Sequence, residues 1–446
     1  MGGAARQPRA RRARPAIGRG ARGRRSLSAP RGPEPVRPRP ARLAALRHRD
    51  FRLFWSGQLV SLIGTWMQSV GQAWLVLELT GSPFHLGLVT ALQYTPILLL
   101  SPVGGALSDR FPKRRIILLT QTAMMGQAFV LAGLVWSGHV RYWHVAVLAG
   151  LYGLGRAVDI PARQSYITDL VGRASLANAV ALNSLVFNGA RIVGPAVAGL
   201  VIARYGVAPA FLVNGLSFVA VLGALLATRT AGDPDPAGRL GIRAGVWGAL
   251  DYAARTPDVA FTLTLIVAIS ILVLNFNVVV PLVAKDVLGE GAHGFGLLMA
   301  ALGAGAVIAG AALAFLRRGR PSLRTLATAA AVLSAGTAGL ALVGRFGTAA
   351  ALLVVLGCCQ ILFSTGCNTT LQLTTPDALR GRVMGLYALA NAGMTPFGSL
   401  LVGAIAEHLG VRAACLLGGG GGLLAVAALV LLGRRAGITW TRPREA

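Results

Sequence analysis

Polar side chains recur along one face of the first long apolar stretch of the sequence. They are Gln58, Ser61, Thr65, Gln68 and Gln72, spaced three and four residues apart. Residues at that spacing share one face of an α-helix. Amides and hydroxyls exchange hydrogen bonds, so the stripe favours ligand binding over catalysis. We expect it to face a polar cavity rather than lipid.

Other apolar stretches carry candidate counterparts of this stripe. The polar ones are Asn188, Asn275, Asn277, Gln360 and Asn368, and Tyr94 stands among the aromatic residues suited to join them. A cavity lined by amides and aromatic rings suits an amphipathic ligand. Each amide is also explained by hydrogen bonding between helices, and each ring by ordinary packing.

Arg191 lies in an apolar run, about 24 Å along its predicted helix by helical rise. A charge at that depth is costly and indicates a functional site by default. Glu78 is the one acid in reach from the same half of the chain. A structural Arg191–Glu78 pair and a site for an anionic ligand both fit the sequence.

Glu78 is also the candidate for proton binding, because a carboxylate associated with an apolar helix can bind and release a proton. Asp159 and Glu407 are the other acids associated with the apolar stretches. All three lie near predicted helix ends, and we predict no acid at mid-membrane.

The sequence lacks the patterns of enzymes and metal sites. The only lysines are Lys113 and Lys285, and neither completes the G-x-x-x-x-G-K-[ST] pattern that binds nucleotide phosphates. The four cysteines form no CxxC, and the six histidines are scattered. We therefore expect no catalytic residue, no metal and no cofactor.

The segment GGALSDRFPKRR, residues 104–115, places one acid among four bases between two apolar stretches. The bases alone would indicate a solvated loop. Gly104 and Gly105, however, allow close helix packing. Asp109 can sit at the exposed N-terminus of another helix, where free N–H groups and the dipole favour an anion.

The composition indicates an all-α polytopic membrane protein that positions these residues. Of 446 residues, 54% are hydrophobic and 13% charged, against roughly a quarter charged in soluble proteins. Apolar runs of about 20 residues can each cross the hydrocarbon as a helix. The twelve predicted spans are 53–78, 83–107, 114–137, 141–162, 175–203, 208–228, 259–284, 293–316, 323–344, 348–372, 382–407 and 412–433.

Lys and Arg are distributed unevenly between the loops. One alternate set of loops holds 20 and the other five, so the positive-inside rule predicts both termini in the cytoplasm. Residues 1–50 are expected to be a disordered basic tail, because the first 49 contain 15 Arg and few large apolar residues. We prefer a cytoplasmic basic extension, or residues ahead of the true translation start, over a tail that binds nucleic acid or anionic lipid, and we expect no nucleic-acid partner.

An internal repeat divides the chain into two halves. Residues 178–207 align with 382–411 without a gap, and 86–92 resemble 295–301. The predicted domains are a first six-helix bundle at 51–228, a linker with a short amphipathic helix at 229–258, a second six-helix bundle at 259–433 and a cytoplasmic tail at 434–446. Such parallel repeats, related by pseudo-twofold symmetry, are typical of secondary transporters.

GGALSDRFPKRR resembles the loop 2–3 signature of the major facilitator superfamily, G-x-L-x-D-R-x-G-R-[KR]-x-[KR]. The matching residues are Gly105, Leu107, Asp109, Arg110, Lys113 and Arg114, while Pro112 stands where the family usually has Gly. The resemblance implies the major facilitator fold, with its twelve transmembrane helices in two halves.

The resemblance also implies a gating latch. Asp109 would meet the start of span 11, near Gly381 and Arg382. Lys113 or Arg110 would pair with an acid at the end of span 4. Asp159, flanked by Arg156 and Arg163, is the candidate there. This latch would hold the outward-open state and break when the cytoplasmic side opens.

NGARIVGPAVAG, residues 188–199, resembles the antiporter signature of exporters in the superfamily, G-x-x-x-G-P-x-x-G. Gly194 and Pro195 match, whereas Gly189 and Gly199 each lie one position away from the pattern. The resemblance implies a kinked, tightly packed helix that prevents leak during exchange. A generic Gly–Pro kink is the alternative.

From about Phe51 to Gly433 the chain resembles the branch that contains the enterobactin exporter and macrolide efflux proteins. The stretches FRLFWSGQLVSLIGTWM, GRAVDIPARQSYITDLV and NGARIVGPAVAG carry this resemblance. It implies a monomeric transporter of a bacterial cell (inner) membrane that exports a drug, macrolide or siderophore-like compound in exchange for protons. Uptake symport, a channel and a transporter-like receptor are the alternatives.

Overall fold

The computed structural model describes residues 2–3, 43–233, 242–316, 321–435 and 440. Within these residues all regular structure is helical. Most of the predicted N-terminal tail and most of the predicted C-terminal tail lie outside the described residues, so those two predictions stay predictions.

The helices follow one another with short connections. The first half contains α1 (Arg49–Thr80), α2 (Pro83–Arg110), α3 (Lys113–Trp136), α4 (Tyr142–Tyr205) and α5 (Ala208–Ala227), and α6 (Ile242–Arg255) lies in the predicted linker. The second half contains α7 (Pro257–Leu272), α8 (Phe276–Leu282), α9 (Ala292–Leu316), α10 (Leu323–Gly339), α11 (Phe346–Thr374), α12 (Asp377–Asn391), α13 (Thr395–Leu409) and α14 (Val411–Arg435).

Nine helices in the described part of the chain are long and apolar enough to cross a membrane. This set treats α4 as one span, joins α7 with α8 and α12 with α13, and omits α1 and α10. The polar stripe lowers the hydropathy of α1, and α10 has only 17 residues. Each of the twelve predicted spans still overlaps one of the described helices.

α4 is too long for a single crossing. Its 64 residues extend to about 96 Å, against about 30 Å of hydrocarbon. The helix is interrupted at Gly172, whose φ of 68° and ψ of 171° favour glycine. Its first arm, residues 142–171, continues past 162, where we predicted that the span ends. That boundary was wrong because Pro161 and the charges beside it lie inside the helix.

Residues 43–50, which we assigned to the disordered tail, are folded. Residues 44–47 form a 3₁₀ turn, and α1 begins at Arg49. Ala45 is buried, and its backbone N–H donates to the Asn178 side-chain oxygen at 2.9 Å. Residues 43–50 are folded because of this contact with α4, and the composition of the segment alone does not reveal such a contact.

We call the side at which α1 begins and α14 ends the termini side, and the opposite side the far side. Two matching crossings join the halves on the far side. A Cβ on Gly87 of α2 would lie 2.4 Å from the Ser399 carbonyl oxygen and 3.3 Å from the Gly403 Cα of α13. A Cβ on Gly199 of α4 would lie 3.0 Å from the Gly296 Cα of α9. Helices pack this closely only where side chains are absent. We call the two crossings the glycine seam.

Polar contacts reinforce the glycine seam. The Glu407 carboxylate of α13 accepts hydrogen bonds from the Ser82 hydroxyl at 2.8 Å and from the Phe84 backbone N–H at 3.1 Å. Both donors lie at the N-terminus of α2, where an anion is favoured. Lys285 donates to the Leu77 carbonyl oxygen at 3.0 Å. The far side is therefore closed between the halves.

The halves part toward the termini side. Gly105 at the end of α2 and Gly381 and Gly385 of α12 have open space where a side chain would lie. Asp109 and Arg110 are exposed. Within the described residues, neither of these two side chains makes an ion pair.

A polar cluster that we call the linker anchor holds the start of the linker against the first half. The buried Lys113 ammonium donates to the Asp169 carboxylate at 2.7 Å and to the Asp233 carbonyl oxygen at 3.2 Å. The Arg114 guanidinium donates to the Leu225 carbonyl oxygen at 2.7 Å, at the end of α5. Lys113 and Arg114, two of the four bases of the segment, thus contact the first half and the start of the linker.

Asp50 extends the linker anchor. Its carboxylate accepts hydrogen bonds from the Arg229 N–H, the Thr230 N–H and the Thr230 hydroxyl, at 2.8–2.9 Å. Burial opposes ionisation, but these hydrogen bonds outweigh it and keep the pKa of Asp50 below its ordinary value. At its other end the linker contacts the second half, where the Tyr252 hydroxyl donates to the Thr374 carbonyl oxygen at 3.2 Å.

Candidate functional site

A cavity of about 330 Å³ lies among the helices of the first half, with one lining residue from α8. Six residues predicted to line a cavity do so: Gln58, Thr65, Gln68, Gln72, Tyr94 and Asn277. The cavity lining includes Gln58 of α1 and Arg163 and Gln164 of α4, which lie toward the termini side of their helices.

The α1 stripe forms a ladder of amides that reaches three other helices. The Gln68 side-chain oxygen accepts a hydrogen bond from the Asn214 amide at 2.6 Å, and its nitrogen donates to Gln127 at 3.0 Å. The Gln72 amide donates to the Gln93 oxygen at 2.8 Å. The Gln58 oxygen is buried and has no partner in the described residues. The hydrogen bonds of the ladder hold the polar wall of the cavity in place, and the Gln58 oxygen can accept a hydrogen bond from a ligand.

Asp159 lies in the wall of this cavity, and its residue is only 3% exposed. Its carboxylate pairs with Arg163 one helical turn away and accepts hydrogen bonds from Thr120 at 3.1 Å and Gln121 at 2.9 Å. The prediction that Asp159 lies near a helix end is therefore wrong, because the first arm of α4 continues to residue 171. Asp159 and Arg163 were mistaken for residues at a helix end because charges and a proline cluster there.

Arg156 also lines the cavity. Its guanidinium carbon lies 5.9 Å from the centre of the Tyr152 ring, a cation–π distance. The Tyr94 hydroxyl is a second neighbour. Among the described residues, no carboxylate lies within ion-pair distance of Arg156.

Arg191 connects the two halves beside the cavity. It donates to the Gln360 side-chain oxygen of α11 and lies 5.9 Å from the Trp66 ring centre of α1. The Trp66 ring packs edge-to-face against Phe187 at 5.8 Å. Trp66 and Phe187 line the cavity, whereas Arg191 and Gln360 are not among its lining residues.

Glu78 does not pair with Arg191. It is exposed near the end of α1 on the far side, where its carboxylate accepts a hydrogen bond from the Trp74 indole at 2.6 Å. The predicted Arg191–Glu78 pair is wrong because Arg191 points to the other half and Glu78 bonds one turn back on its own helix. Glu78 is also not a lining residue of the cavity.

Three predicted cavity amides lie elsewhere. The buried Asn275 amide donates to the Ile271 carbonyl oxygen at 2.8 Å and bridges the break between α7 and α8. The Asn368 side chain accepts a hydrogen bond from Gln372 at 2.6 Å. The Asn188 amide donates to the carbonyl of Ser184 at 2.8 Å. Each of these contacts joins residues four apart in the chain, so none of them is the hydrogen bond between helices that was the alternative.

The residues predicted to form a latch are separated in this structure. Lys113 pairs with Asp169, and Asp159 pairs with Arg163. The predicted contact of Lys113 or Arg110 with Asp159 is therefore absent from this conformation, which is closed on the far side, and for the outward-open state it stays a prediction. Asp169 was missed because it falls in the part of α4 that we predicted to be a loop. Gly104, rather than Gly105, makes the close helix contact, since a Cβ there would lie 2.4 Å from the Ala157 carbonyl oxygen.

The segment that resembles an antiporter signature packs closely against neighbouring helices at Gly194 and at Gly199. A Cβ on Gly194 would lie 2.5 Å from the Trp66 Cβ of α1, and Gly199 belongs to the glycine seam. Pro195 lies inside α4, and its carbonyl oxygen would lie 2.5 Å from a Cβ on Gly296. Gly189 has open space around it.

Several residues of the site were absent from the sequence predictions. They are Gln93, Gln121, Gln127, Tyr152 and Asn214. Each is a polar or aromatic residue within an apolar helix, and pairing them needs the helix arrangement. One local signal was available, because Tyr152, Arg156, Asp159 and Arg163 recur at helical spacing.

Known proteins resemble the chain over most of its length. The sequence pattern of the family described as transmembrane secretion effector matches residues 40–437. The staphyloferrin A transporter of Staphylococcus aureus is 27% identical over 367 residues, which cover 81% of this chain and 90% of that protein. The multidrug efflux pump Tap of Mycolicibacterium fortuitum is 28% identical over 381 residues, covering 82% and 92%. The enterobactin exporter EntS of Citrobacter koseri is 25% identical over 393 residues, covering 86% and 92%.

A solved structure shares the fold. A POT family transporter in complex with a thioalcohol-conjugated peptide superposes with a TM-score of 0.71 over 87% of this chain and 96% of that one. The two sequences are 10% identical, so the similarity concerns the arrangement of helices alone.

Proposed function

Because the chain belongs to the transmembrane secretion effector family of the major facilitator superfamily, we propose that it exports a small amphipathic compound in exchange for protons. The family and the helical transporter fold agree with the resemblance predicted from the sequence. The chain is a multi-pass membrane transporter of small molecules and not an enzyme.

The cavity is the observation that carries the proposal. Its volume of about 330 Å³ lies within the range of small-molecule sites, which combine apolar walls with a few placed polar groups. Amides of α1 line one wall, and Trp66, Tyr94, Tyr152 and Phe187 supply aromatic surface. This combination suits a compound that is apolar in part and polar in part.

Transport by alternating access requires that the cavity open to each side in turn. In this structure the glycine seam closes the far side. In the opposite state we propose that Asp109 docks at the start of α12, near Gly381 and Arg382, and closes the termini side. The exposed Asp109 carboxylate is free to make that contact. The Gly194–Pro195 segment keeps α4 packed on α1 and limits leak.

We propose Asp159 as the group that binds the coupling proton. It is the acid in the cavity wall, and Arg163 and Arg156 are the charged groups that face it. Protonation would release Arg163 and change the charge of the cavity by one unit. Glu78, the candidate from the sequence, is the alternative, and its exposure outside the cavity makes it the weaker one.

We propose a placement in a bacterial cell membrane, in line with the bacterial relatives. The distribution of Lys and Arg supports an orientation with the termini side in the cytoplasm. The cavity would then load its compound from the cytoplasm, as export requires. We propose that the chain works as a monomer, because the cavity and both gates are built within one chain.

Accumulation assays in a bacterial strain that lacks its own efflux pumps test this proposal. Erythromycin, the aromatic acid 2-naphthoate and a catecholate siderophore serve as probes, and a protonophore dissipates the gradient. We expect cells that express the chain to retain less of at least one probe, and the protonophore to abolish the difference. Asp159→Asn should abolish it too, whereas the exposed-linker control Asp251→Asn should not.

Each other result contradicts part of the proposal. Higher retention in expressing cells would indicate uptake instead of export. Efflux that survives the protonophore would exclude proton coupling. Efflux that survives Asp159→Asn but is lost in Glu78→Gln would assign the proton to Glu78. Unchanged retention of all three probes would count against an exporter of amphipathic compounds.

A further inference from the structure

The cavity holds more positive than negative charge. Its charged lining residues are Arg156, Arg163 and Asp159. Asp159 is fully engaged, because Arg163, Thr120 and Gln121 all donate to it. Asp159 interacts with Arg156 at longer range, but Arg156 has no ion-pair partner among the described residues, and the three charged groups leave the cavity with one net positive charge.

Uncompensated charge at such a place is costly. Arginine keeps its proton under all ordinary conditions, and a charge within a membrane protein normally pairs with an opposite charge or serves a ligand. Tyr152 and Tyr94 offer a ring face and a hydroxyl. These neighbours orient the guanidinium but do not neutralise it.

The groups around Arg156 define a ligand with two kinds of surface. Trp66, Phe187 and Tyr152 offer aromatic walls to an apolar body. The Gln58 and Gln121 side-chain oxygens are buried without a partner in the described residues, so they can accept hydrogen bonds from ligand hydroxyl or amide groups. A guanidinium matches the planar, two-oxygen geometry of a carboxylate.

We propose that Arg156 anchors the acidic group of the transported compound, so that the cavity selects amphipathic organic anions with an aromatic body. This inference deepens the proposed function and rests on it, since it names the substrate class of the same cavity. Two other arginines are excluded from the role. Arg163 is bound to Asp159, and Arg191 is held by Gln360 and Trp66 outside the cavity lining.

Binding of a matched pair of probes to the purified full chain in lipid nanodiscs tests the inference. The probes are 2-naphthoate and its uncharged amide, 2-naphthamide, which share one ring system. Binding is measured by quenching of tryptophan fluorescence, with empty nanodiscs as the blank for partition into lipid. A charge-assisted hydrogen bond contributes about 1.5–3 kcal/mol, so we expect the acid to bind at least about tenfold more tightly than the amide.

The variants assign this preference to one residue. Arg156→Gln should remove the preference for the acid while leaving binding of the amide unchanged. Arg156→Lys should keep part of it, because the charge remains without the fork geometry. Arg204→Gln, in the exposed end of the same helix, should behave as wild type. If Arg156→Gln does not fold, the wild-type and Arg156→Lys measurements still decide the question.

Equal binding of acid and amide by the wild-type chain would overturn the inference. A preference that persists unchanged in Arg156→Gln would overturn it as well. The assay needs no gradient and reports no direction. A wild-type preference for the acid combined with failed efflux would therefore contradict only the proposed function, and intact efflux without the preference only the substrate class.

Discussion

Asp109 and Asp169 are two acids near the termini side whose surroundings give them different roles. Asp169 binds the buried ammonium of Lys113 at 2.7 Å, whereas Asp109 is exposed with no partner among the described residues. Removing one member of a buried or half-buried charge pair leaves the other without compensation. Substitution of Asp169 should therefore lower the stability of the protein, whereas substitution of Asp109 should impair transport.

We predict that Asp169→Asn lowers the free energy of unfolding by about 1–3 kcal/mol, because Lys113 then loses its charged acceptor. Thermal unfolding of the purified protein in detergent measures this change. Asp109→Asn should unfold at the wild-type temperature while its transport rate falls, since only the proposed latch is lost. Equal stability of both variants, or normal transport by Asp109→Asn, would contradict these assignments.

At the scale of helices, the glycine seam controls which side of the cavity is closed. A Cβ added at Gly87 or Gly296 meets a backbone oxygen of the other half at 2.4–2.5 Å. A backbone oxygen cannot turn away as a side chain can, so the helices must separate. Overpacking of this kind costs about 1–3 kcal/mol, and about 1.4 kcal/mol changes an equilibrium tenfold.

We therefore predict that Gly87→Ala shifts the protein away from the conformation that is closed on the far side. Maleimide labelling of an Asn183→Cys variant, in a background without native cysteines, reports this shift, because Asn183 lines the cavity. Labelling from the termini side should fall several-fold. Gly126→Ala in α3, where a Cβ meets open space, is the control. Unchanged labelling in Gly87→Ala would show that the seam does not set the equilibrium.

At the scale of the whole molecule, an even number of crossings puts both ends of the chain on one side. We predict that a fluorescent protein fused after Arg435 matures in the cytoplasm, and that alkaline phosphatase fused there stays inactive. Fusions at Gly344, between α10 and α11, should give the opposite pair of signals. Active phosphatase at the C-terminal position would contradict the proposed orientation and the count of crossings.

Much of this architecture was readable from the sequence because its causes are local. Hydropathy located the helices, and the aligned repeat placed Gly199 and Gly403 at equivalent positions. Their roles in equivalent crossings became visible only once the halves were packed. The α1 stripe predicted the amide wall because helical spacing alone decides which residues share a face.

The errors have a common physical origin. Asp159, Arg163 and Asp169 were assigned to a helix end or a loop because charge and proline usually end a membrane helix. In the folded chain, partners on α3 make those charges tolerable inside it. A partner from a distant segment also determines where the Arg191 side chain lies, because Arg191 donates a hydrogen bond to Gln360 of the other half. A single sequence contains no direct signal for such pairings.

The glycine seam also has an electrical consequence. A water-filled cavity that is continuous with one side shares the potential of that side, so the membrane voltage falls mainly across the dry seam. If the cavity opens to the termini side, as the proposed cycle requires, Arg156 and Asp159 lie at the potential of that side in this conformation. When the far side opens and the termini side closes, the same residues experience the potential of the far side, although their positions within the helices do not change. Each net elementary charge carried through this change gains or loses about 2.3 kcal/mol per 100 mV. Each conformational step of the proposed cycle therefore moves charge whenever the net charge in the cavity is not zero. Over a full cycle the charge of the fixed residues cancels, so voltage biases the direction of transport only when the loaded and the returning cavity differ in net charge.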